Sequence, residues 1–409
     1  MSKEAIGKFL DEYIPESTTI SAIIVAGAST VMIGEMPLFA DMFVKYFQIS
    51  AGNAGWTLSV EFMGVGLGAA LAFFMLPRVR WPRLALAAAL LSLAANMASP
   101  AASGIAMLMM LRGLSGLGAG LLYSTAIGAV SNARQLGRAF GGVVLAQSVF
   151  PVIYAAGLTW TASRVGLAAA IASMALWFAL CAALSFALRG TVSHRASNPA
   201  VDEAHRGGNR TELSAILSLI ALMLFMTSVF AYWSYATRLG IERGFDPVMV
   251  ANSIPLGLIG GGVCAVVAMV CGDRPGRLRM AALACAMLLA GAIAAAQAGS
   301  IAVFEGGLTL FCGGWSLGVA YFMSMTAFYG QEATIARFIP GAQILSSFLG
   351  PAIAAGLIGD GSSVAAAAIA AEVLAFAALL LCGLVAVTSA SFAPRPHPEE
   401  AVERTEIQA

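Results

Sequence analysis

Long apolar runs separated by short polar connections dominate the sequence. Twelve of these runs are long enough to cross a bilayer as helices, which takes about 20 mostly apolar residues each. The predicted spans are 18–42, 53–76, 83–99, 103–131, 138–158 and 162–188 in the first half, and 213–237, 247–271, 277–297, 300–329, 332–358 and 362–388 in the second. The pattern therefore predicts an all-α membrane protein built from two six-helix bundles.

Three polar segments lie outside the predicted spans. The first carries charges between apolar positions at helical spacing, which predicts an amphipathic helix on the membrane surface and excludes a signal peptide. The second separates the two bundles as a linker, and the third is a tail rich in proline and glutamate. The predicted domains are 1–17, 18–188, 189–212, 213–388 and 389–409.

Composition supports an integral membrane protein. The chain of 409 residues is 59% hydrophobic and only 11% charged, whereas soluble domains carry about 25% charged residues. A formal net charge of +1 excludes a nucleic-acid partner, which needs a basic footprint, and leaves the lipid bilayer as the expected environment. The six cysteines lie in apolar runs without paired spacing, so we predict no disulfide framework, metal or cofactor.

The distribution of cationic residues predicts the orientation. Of the 22 lysine and arginine residues, the predicted outer side holds only Lys45, Arg164, Arg238 and Arg243. Because cationic residues concentrate on the cytoplasmic side, both termini are predicted to be cytoplasmic, in a multi-pass protein of the plasma membrane (inner membrane).

The fourth span contains the segment Arg112-Gly-Leu-Ser-Gly-Leu-Gly-Ala-Gly120. A charge near mid-membrane costs several kcal/mol, so it normally faces the protein interior and has a partner. The surrounding glycines allow neighbouring helices to approach closely, and Ser115 and Tyr123 share the arginine's helical face. The segment indicates a solute pathway, or alternatively a buried arginine that only joins two helices.

The two halves also repeat. The segment Arg112-Gly-Leu-Ser-Gly-Leu-Gly118 aligns, at an offset of two hundred residues, with Cys312-Gly-Gly-Trp-Ser-Leu-Gly318, and Pro151 aligns likewise with Pro351. The arginine motif and this plan of two six-helix halves resemble the major facilitator superfamily. The resemblance implies a substrate site between the halves near mid-membrane and a role for Arg112 in coupling.

A second motif lies between the eighth and ninth spans. It is similar to the family's cytoplasmic-loop signature, and its candidate gate residues are Asp273, Arg274, Gly276 and Arg277. The family expects a stronger copy between spans two and three, but residues 77–83 contain arginines without an aspartate. A cytoplasmic gate held mainly by the second half is one interpretation, and arginines that only fix topology are the other.

Three charged residues fall in one layer of the membrane. Glu35, Glu61 and Arg112 each lie roughly 11–14 Å below the outer surface at 1.5 Å per residue, so they are expected to pair. One arginine balances the charge of only one of the two acids, so the other carboxyl group is free to exchange protons. We therefore predict that Glu35 or Glu61 is the proton-coupling acid with Arg112, while a static glutamate–arginine bridge is the alternative.

Further polar and aromatic residues are candidates for solute contact. The full set of candidates is Arg112, Ser115, Tyr123, Gln147, Trp233, Asn252, Trp315, Tyr321 and Gln343. A cavity with aromatic residues on one side and acidic and arginine residues on the other suits an amphiphilic or aromatic solute. The alternatives are helix pairing for the amides, and ordinary packing or an interfacial aromatic belt for Tyr232, Trp233 and Tyr235.

These features predict a secondary active transporter and exclude an enzyme, since no catalytic motif stands in a fitting context. The expected partners are protons and a small organic, anionic solute, and the protein is expected to be a monomer. The alternatives are a proton-driven multidrug or metabolite exporter, and a membrane sensor or assembly protein that no longer transports.

Overall fold

A computed structural model describes residues 17–130, 136–188, 209–272, 274–329, 338–359 and 363–390. These residues form α-helices and short 3₁₀ turns without a strand. The helices of the first half are α1 Ser17–Ser29, α2 Met32–Phe47, α3 Ala51–Met75, α4 Trp81–Ala98, α5 Ile105–Val130, α6 Leu136–Arg164, α7 Leu167–Ser173 and α8 Ala175–Leu184. Those of the second half are α9 Asn209–Trp233, α10 Ala236–Glu242, α11 Pro247–Cys271, α12 Arg277–Ala296, α13 Ile301–Tyr329, α14 Ile339–Ile358 and α15 Ala365–Ala390.

The described residues contain 12 helical segments long and apolar enough to cross a membrane, which confirms the predicted fold class. In the first segment α1 and α2 together run from Thr18 to Phe47, five residues beyond the predicted end at residue 42. The predicted surface helix, most of the linker and most of the tail lie outside the described residues.

The first span is interrupted between α1 and α2. Around Thr30 and Val31 the backbone amides bond three residues back, and the hydroxyls of Ser29 and Thr30 bond the carbonyl of Ala26 at 3.1 and 3.0 Å. Side chains that bond their own backbone compete with helical geometry, and mid-helix stretches of this kind often mark hinges. The first span therefore consists of two helices, α1 and α2, joined by this short interruption.

Close packing of α3 against α5 fixes the layer that carries the charged residues. A Cβ atom at Gly116 would overlap the carbonyl of Glu61, and one at Gly64 would overlap the carbonyl of Gly113. Backbones can approach this closely only where side chains are absent. The glycines predicted to admit a neighbouring helix therefore bring α3 against the arginine-bearing helix.

The two halves meet through α3 against α14 and through α2 and α6 against α11. At Gly34 a Cβ atom would meet the ring of Pro151 and would lie 3.5 Å from a methyl group of Leu258 in the second half. At the outer end of α3, a Cβ atom at Gly52 would lie 3.1 Å from the carbonyl oxygen of Ala355. At Gly34 and Gly52 the absence of a side chain therefore allows the two halves to approach closely.

Candidate functional site

A buried ion pair between Arg112 and Glu61 forms the centre of the site. The arginine donates from Nε to Oε2 of Glu61 at 3.0 Å and from Nη2 to Oε1. Arg112 is fully buried and Glu61 is 3% exposed. Charges removed from water in this way are stable only when paired and hydrogen bonded, so each side chain holds the other in place.

A polar network on α4 supports the arginine from the opposite side. Arg112 donates from Nη1 to Oδ1 of Asn96 at 2.6 Å, and Asn96 donates to the hydroxyl of Ser115 at 2.8 Å and to the carbonyl of Ser92 at 2.7 Å. The hydroxyl of Ser92 bonds the carbonyl of Ser115 at 2.8 Å. Sequence reasoning missed Asn96 and Ser92, and their only signal was polarity within an alanine-rich span.

Two aromatic rings of α2 cover the guanidinium group. Its carbon lies 5.7 Å from the ring centroid of Phe39 and 5.9 Å from that of Phe43. Cations at this distance from a ring face are stabilised by its quadrupole, the more so where water is excluded. With Glu61 and Asn96, these rings complete a shell around Arg112.

Glu35 lies on α2 without such support. Its side chain is fully buried, and neither carboxylate oxygen has a hydrogen-bond partner among the described residues. Phe39 follows it by four residues and so shares its helical face, and Tyr154 of α6 lies within electrostatic range of Glu35, Glu61 and Arg112. Glu35, Glu61 and Arg112, which we call the charged cluster, thus have Tyr154 as a common neighbour in electrostatic range, and one acid is paired while the other is not.

Three contacts near the outer side join the halves, and we call them the cross-half seam. The indole Nε1 of Trp233 donates to the carbonyls of Ile33 and Gly34 at 3.1 and 3.2 Å. The hydroxyl of Tyr235 donates to the carbonyl of Ala51 at 3.0 Å. Further out, Arg238 lies 3.7 Å from Asp41, which also pairs with Lys45 at 2.6 Å. These contacts join the halves on the side that the sequence predicts to face outward.

Aromatic rings continue the seam toward mid-membrane. Phe62 of α3 lies 5.9 Å from Phe230 of α9, whose ring lies 6.0 Å from Trp315 of α13. Trp315 in turn lies 5.9 Å from Trp233 and is the half-buried member of the chain. Tyr232, Trp233 and Tyr235 are all at most 3% exposed, which favours ordinary packing over an interfacial belt for these residues.

The remaining solute-contact candidates lie apart from the charged cluster. Gln147 donates to the Thr30 hydroxyl at 3.2 Å, and Tyr123 lies near Gln147. Asn252 is exposed on the outer part of α11. Gln343 contacts the sulfur of Met323 at 3.3 Å.

The candidate gate lies at the inner ends of α11 to α13. Gly272 and Gly276 adopt positive φ values of 51° and 88°, and the hydroxyl of Tyr321 donates to the Gly272 carbonyl at 2.7 Å. Arg277 donates to Ser324 at 2.8 Å and lies over the ring of Phe328 at 4.4 Å. Arg274 is exposed and Asp273 lies outside the described residues. Tyr321 therefore holds the loop and does not reach the charged cluster.

Comparisons with known proteins agree with this architecture. The structure is similar to a crystal structure of the nucleoside transporter NupG (10% identity, 91% of this chain and 98% of that chain, TM-score 0.68). It is also similar to a partially occluded inward-open structure of the xylose transporter XylE from E. coli (14% identity, 93% and 98%, TM-score 0.64). A bacterial homologue of the human drug peptide transporters PepT1 and PepT2 matches with 15% identity, 91% and 97% coverage and a TM-score of 0.65.

No curated protein matches the chain by sequence. The family model of the Major Facilitator Superfamily matches residues 18–339, which is most of the chain and includes the whole charged cluster. The protein belongs to the Major Facilitator Superfamily, and it is a transporter with a multi-pass membrane fold and not an enzyme.

Proposed function

We propose that the protein is a secondary active transporter that couples the movement of a small organic solute to protons by alternating access between its two halves. The observation that carries this proposal is Glu35, a fully buried acid without a hydrogen-bond partner among the described residues, beside an acid already paired with Arg112. Buried acids in membrane helices are costly, so they are retained where they have a function.

The two acids have different roles in this proposal. Glu61 stays ionised because Arg112 donates two hydrogen bonds to it, and the pair remains a fixed part of the first half. Glu35 faces the same cluster, which also contains Tyr154, but receives no donated bond. An uncompensated buried carboxylate costs several kcal/mol, so Glu35 carries a proton when the seam is closed and releases it when the halves separate.

The geometry favours a neutral or cationic solute over the anionic solute suggested by the sequence. Arg112 is fully buried, and its guanidinium group is already engaged by Glu61, Asn96 and the rings of Phe39 and Phe43. A carboxylate on the solute would have to displace one of these partners. The half-buried ring of Trp315 offers a surface for a planar, apolar part of the solute.

The predicted orientation, oligomeric state and cytoplasmic gate belong to the same proposal. Both termini face the cytoplasm, and the protein is a monomer in the plasma membrane. The cytoplasmic gate contains Arg277 and the loop held by Tyr321, so that the gate and the seam open alternately. The three similar transporters carry different solutes by name, so the shared fold does not select among solute classes.

Thermal unfolding of the purified protein in detergent tests the proposal. The probes are nucleosides, sugars, dipeptides, benzoate and tetraphenylphosphonium, each at mildly acidic and mildly alkaline pH. A ligand that binds only the folded state stabilises it by about 2.7 kcal/mol at a hundred times Kd. We expect a neutral or cationic probe to stabilise the wild type by an amount that depends on pH. The same probe should stabilise the Glu35→Gln variant by an amount that does not depend on pH. Stabilisation by benzoate alone, or an unchanged pH dependence in Glu35→Gln, would contradict the proposal.

A further inference from the structure

The interruption of the first span lies beside a polar cluster that the charged site does not include. Thr30, at the break between α1 and α2, bonds the carbonyls of Ala26 and Gly27 at 3.0 and 3.1 Å and accepts a bond from Gln147 at 3.2 Å. The hydroxyl of Tyr123 on α5 lies near the Gln147 side chain. Three helices thus contribute hydrogen-bonding side chains to one place.

These three side chains are half-buried, whereas Glu35, Glu61 and Arg112 are almost completely buried. Toward the outer side, Glu35 is followed on its own helix by Phe39 and Phe43, and the seam contacts of Asp41 and Ala51 come after Glu35 in the chain. Toward the inner side, Thr30 precedes Glu35 by five residues, or about 7.5 Å along the axis. The polar approach to Glu35 in the described structure therefore comes from the inner side.

The local backbone adds acceptors along this approach. Pro151 has no N–H, so it leaves the carbonyl of Gln147 without its helical donor, and Gly34 brings α2 directly against the Pro151 ring. A hydroxyl, an amide and free carbonyl groups can hold water, which spans the remaining distance to a glutamate side chain.

We propose that Thr30, Gln147 and Tyr123 form the inner proton pathway to Glu35. This proposal rests on the proposed function of Glu35 and adds the side from which its proton exchanges while the seam is closed. The proton moves along hydrogen bonds, from the inner aqueous phase through water held by these three side chains to a carboxylate oxygen of Glu35. Of the titratable groups on the helices around α2, Tyr154 of α6 lies within electrostatic range of Glu35, and it is also within range of Glu61 and Arg112. The three pathway residues act as positioning residues, because they hold the water and keep no proton themselves.

The test follows the protonation of Glu35 directly and needs no solute. A rapid pH jump is applied to the purified protein, and time-resolved infrared spectroscopy records the carbonyl stretch of a protonated carboxyl group. The Glu35→Gln variant must lose this band. In Gln147→Leu and in Thr30→Val we expect the band to reach the wild-type amplitude at a rate about tenfold lower. The variant Thr30→Ser keeps the hydroxyl and should keep the rate.

Matched controls come from neighbouring hydroxyls that bond only their own helix. Ser148 bonds the carbonyl of Val144 on α6, and Thr125 bonds that of Leu121 on α5, so Ser148→Ala and Thr125→Val should leave the rate unchanged. If Glu35→Gln retains the band, the proposed function fails together with the pathway. If the band belongs to Glu35 but Gln147→Leu and Thr30→Val protonate at the wild-type rate, the pathway is wrong while the proposed function stands.

Discussion

The indole N–H of Trp233 donates to the carbonyl oxygen of Ile33, which is the carbonyl that Pro37 leaves free in α2. A proline at position i removes the helical donor to residue i−4, and a buried carbonyl without a donor is costly. The donor comes from the second half of the chain, 200 residues away. Pro37 of the first half thus frees the Ile33 carbonyl, which lies two residues before Glu35. Trp233 of the second half bonds this carbonyl only while the seam is closed.

Removing the indole N–H should therefore open the seam. The variant Trp233→Phe leaves the Ile33 carbonyl unpaired at a cost of about 1–3 kcal/mol, which lowers the ratio of closed to open protein about 5- to 150-fold. Spin labels on Val165→Cys and Val248→Cys, two exposed outer positions in different halves, report the distance between the halves. Trp56→Phe is the control, because Trp56 is 41% exposed on α3. A distance distribution in Trp233→Phe that matches that of Trp56→Phe would refute this role.

The pair of Glu61 and Arg112 should be strongly coupled in stability. Glu61→Gln leaves the guanidinium group buried without a counter-charge, and we expect a loss of about 3–5 kcal/mol in the free energy of unfolding. The double variant Glu61→Gln with Arg112→Gln removes both charges and should be more stable than Glu61→Gln alone. Thermal unfolding in detergent measures both effects. Additive losses in the double variant would show that the two side chains do not depend on each other.

Two glycines of α5 offer a matched pair for the packing of α3 against α5. At Gly116 an added methyl group would overlap the carbonyl of Glu61, which is backbone and cannot move alone. At Gly113 the nearest atom is a methyl group of Val60 at 3.2 Å, a side chain that can adjust. We expect Gly116→Ala to lower the stability by at least about 1–3 kcal/mol, and Gly113→Ala to lower it less. Equal melting temperatures for the two variants would mean that the helices are not locked at the charged layer.

The sequence was sufficient for the twelve spans. Spans are predictable because backbone in lipid must be helical, and a common depth made a pairing with Arg112 geometrically open. The sequence could not determine that Glu61 forms the ion pair with Arg112 while Glu35 stays unpaired. That choice depends on the close approach of α3 and α5 and on Asn96, a lone polar residue in an alanine-rich span.

The break in the first span and its partner were also beyond sequence reasoning. The interruption at Thr30 and Val31 contains no proline or glycine, and it arises because the neighbouring hydroxyls bond the backbone. Pro37 indicated a free carbonyl, but no local pattern tells which distant donor will reach it. Trp233 therefore looked like a residue of the membrane interface, because its position near the end of a span is visible in sequence and its burial against the other half is not.

We propose that a proton on Glu35 permits the seam to close. The test is to measure the distance between the labels on Val165→Cys and Val248→Cys as a function of pH. If the closed state binds one more proton than the open state, raising the pH must favour the open state. We expect a shift from the short to the long distance between mildly acidic and mildly alkaline pH in the wild type and in the control Glu305→Gln. Glu305 lies on α13, where its carboxylate accepts a hydrogen bond from Ser253 at 3.3 Å. In Glu35→Gln the short distance should persist at both pH values. A pH-dependent shift that survives in Glu35→Gln, or its absence in the wild type, would contradict the account.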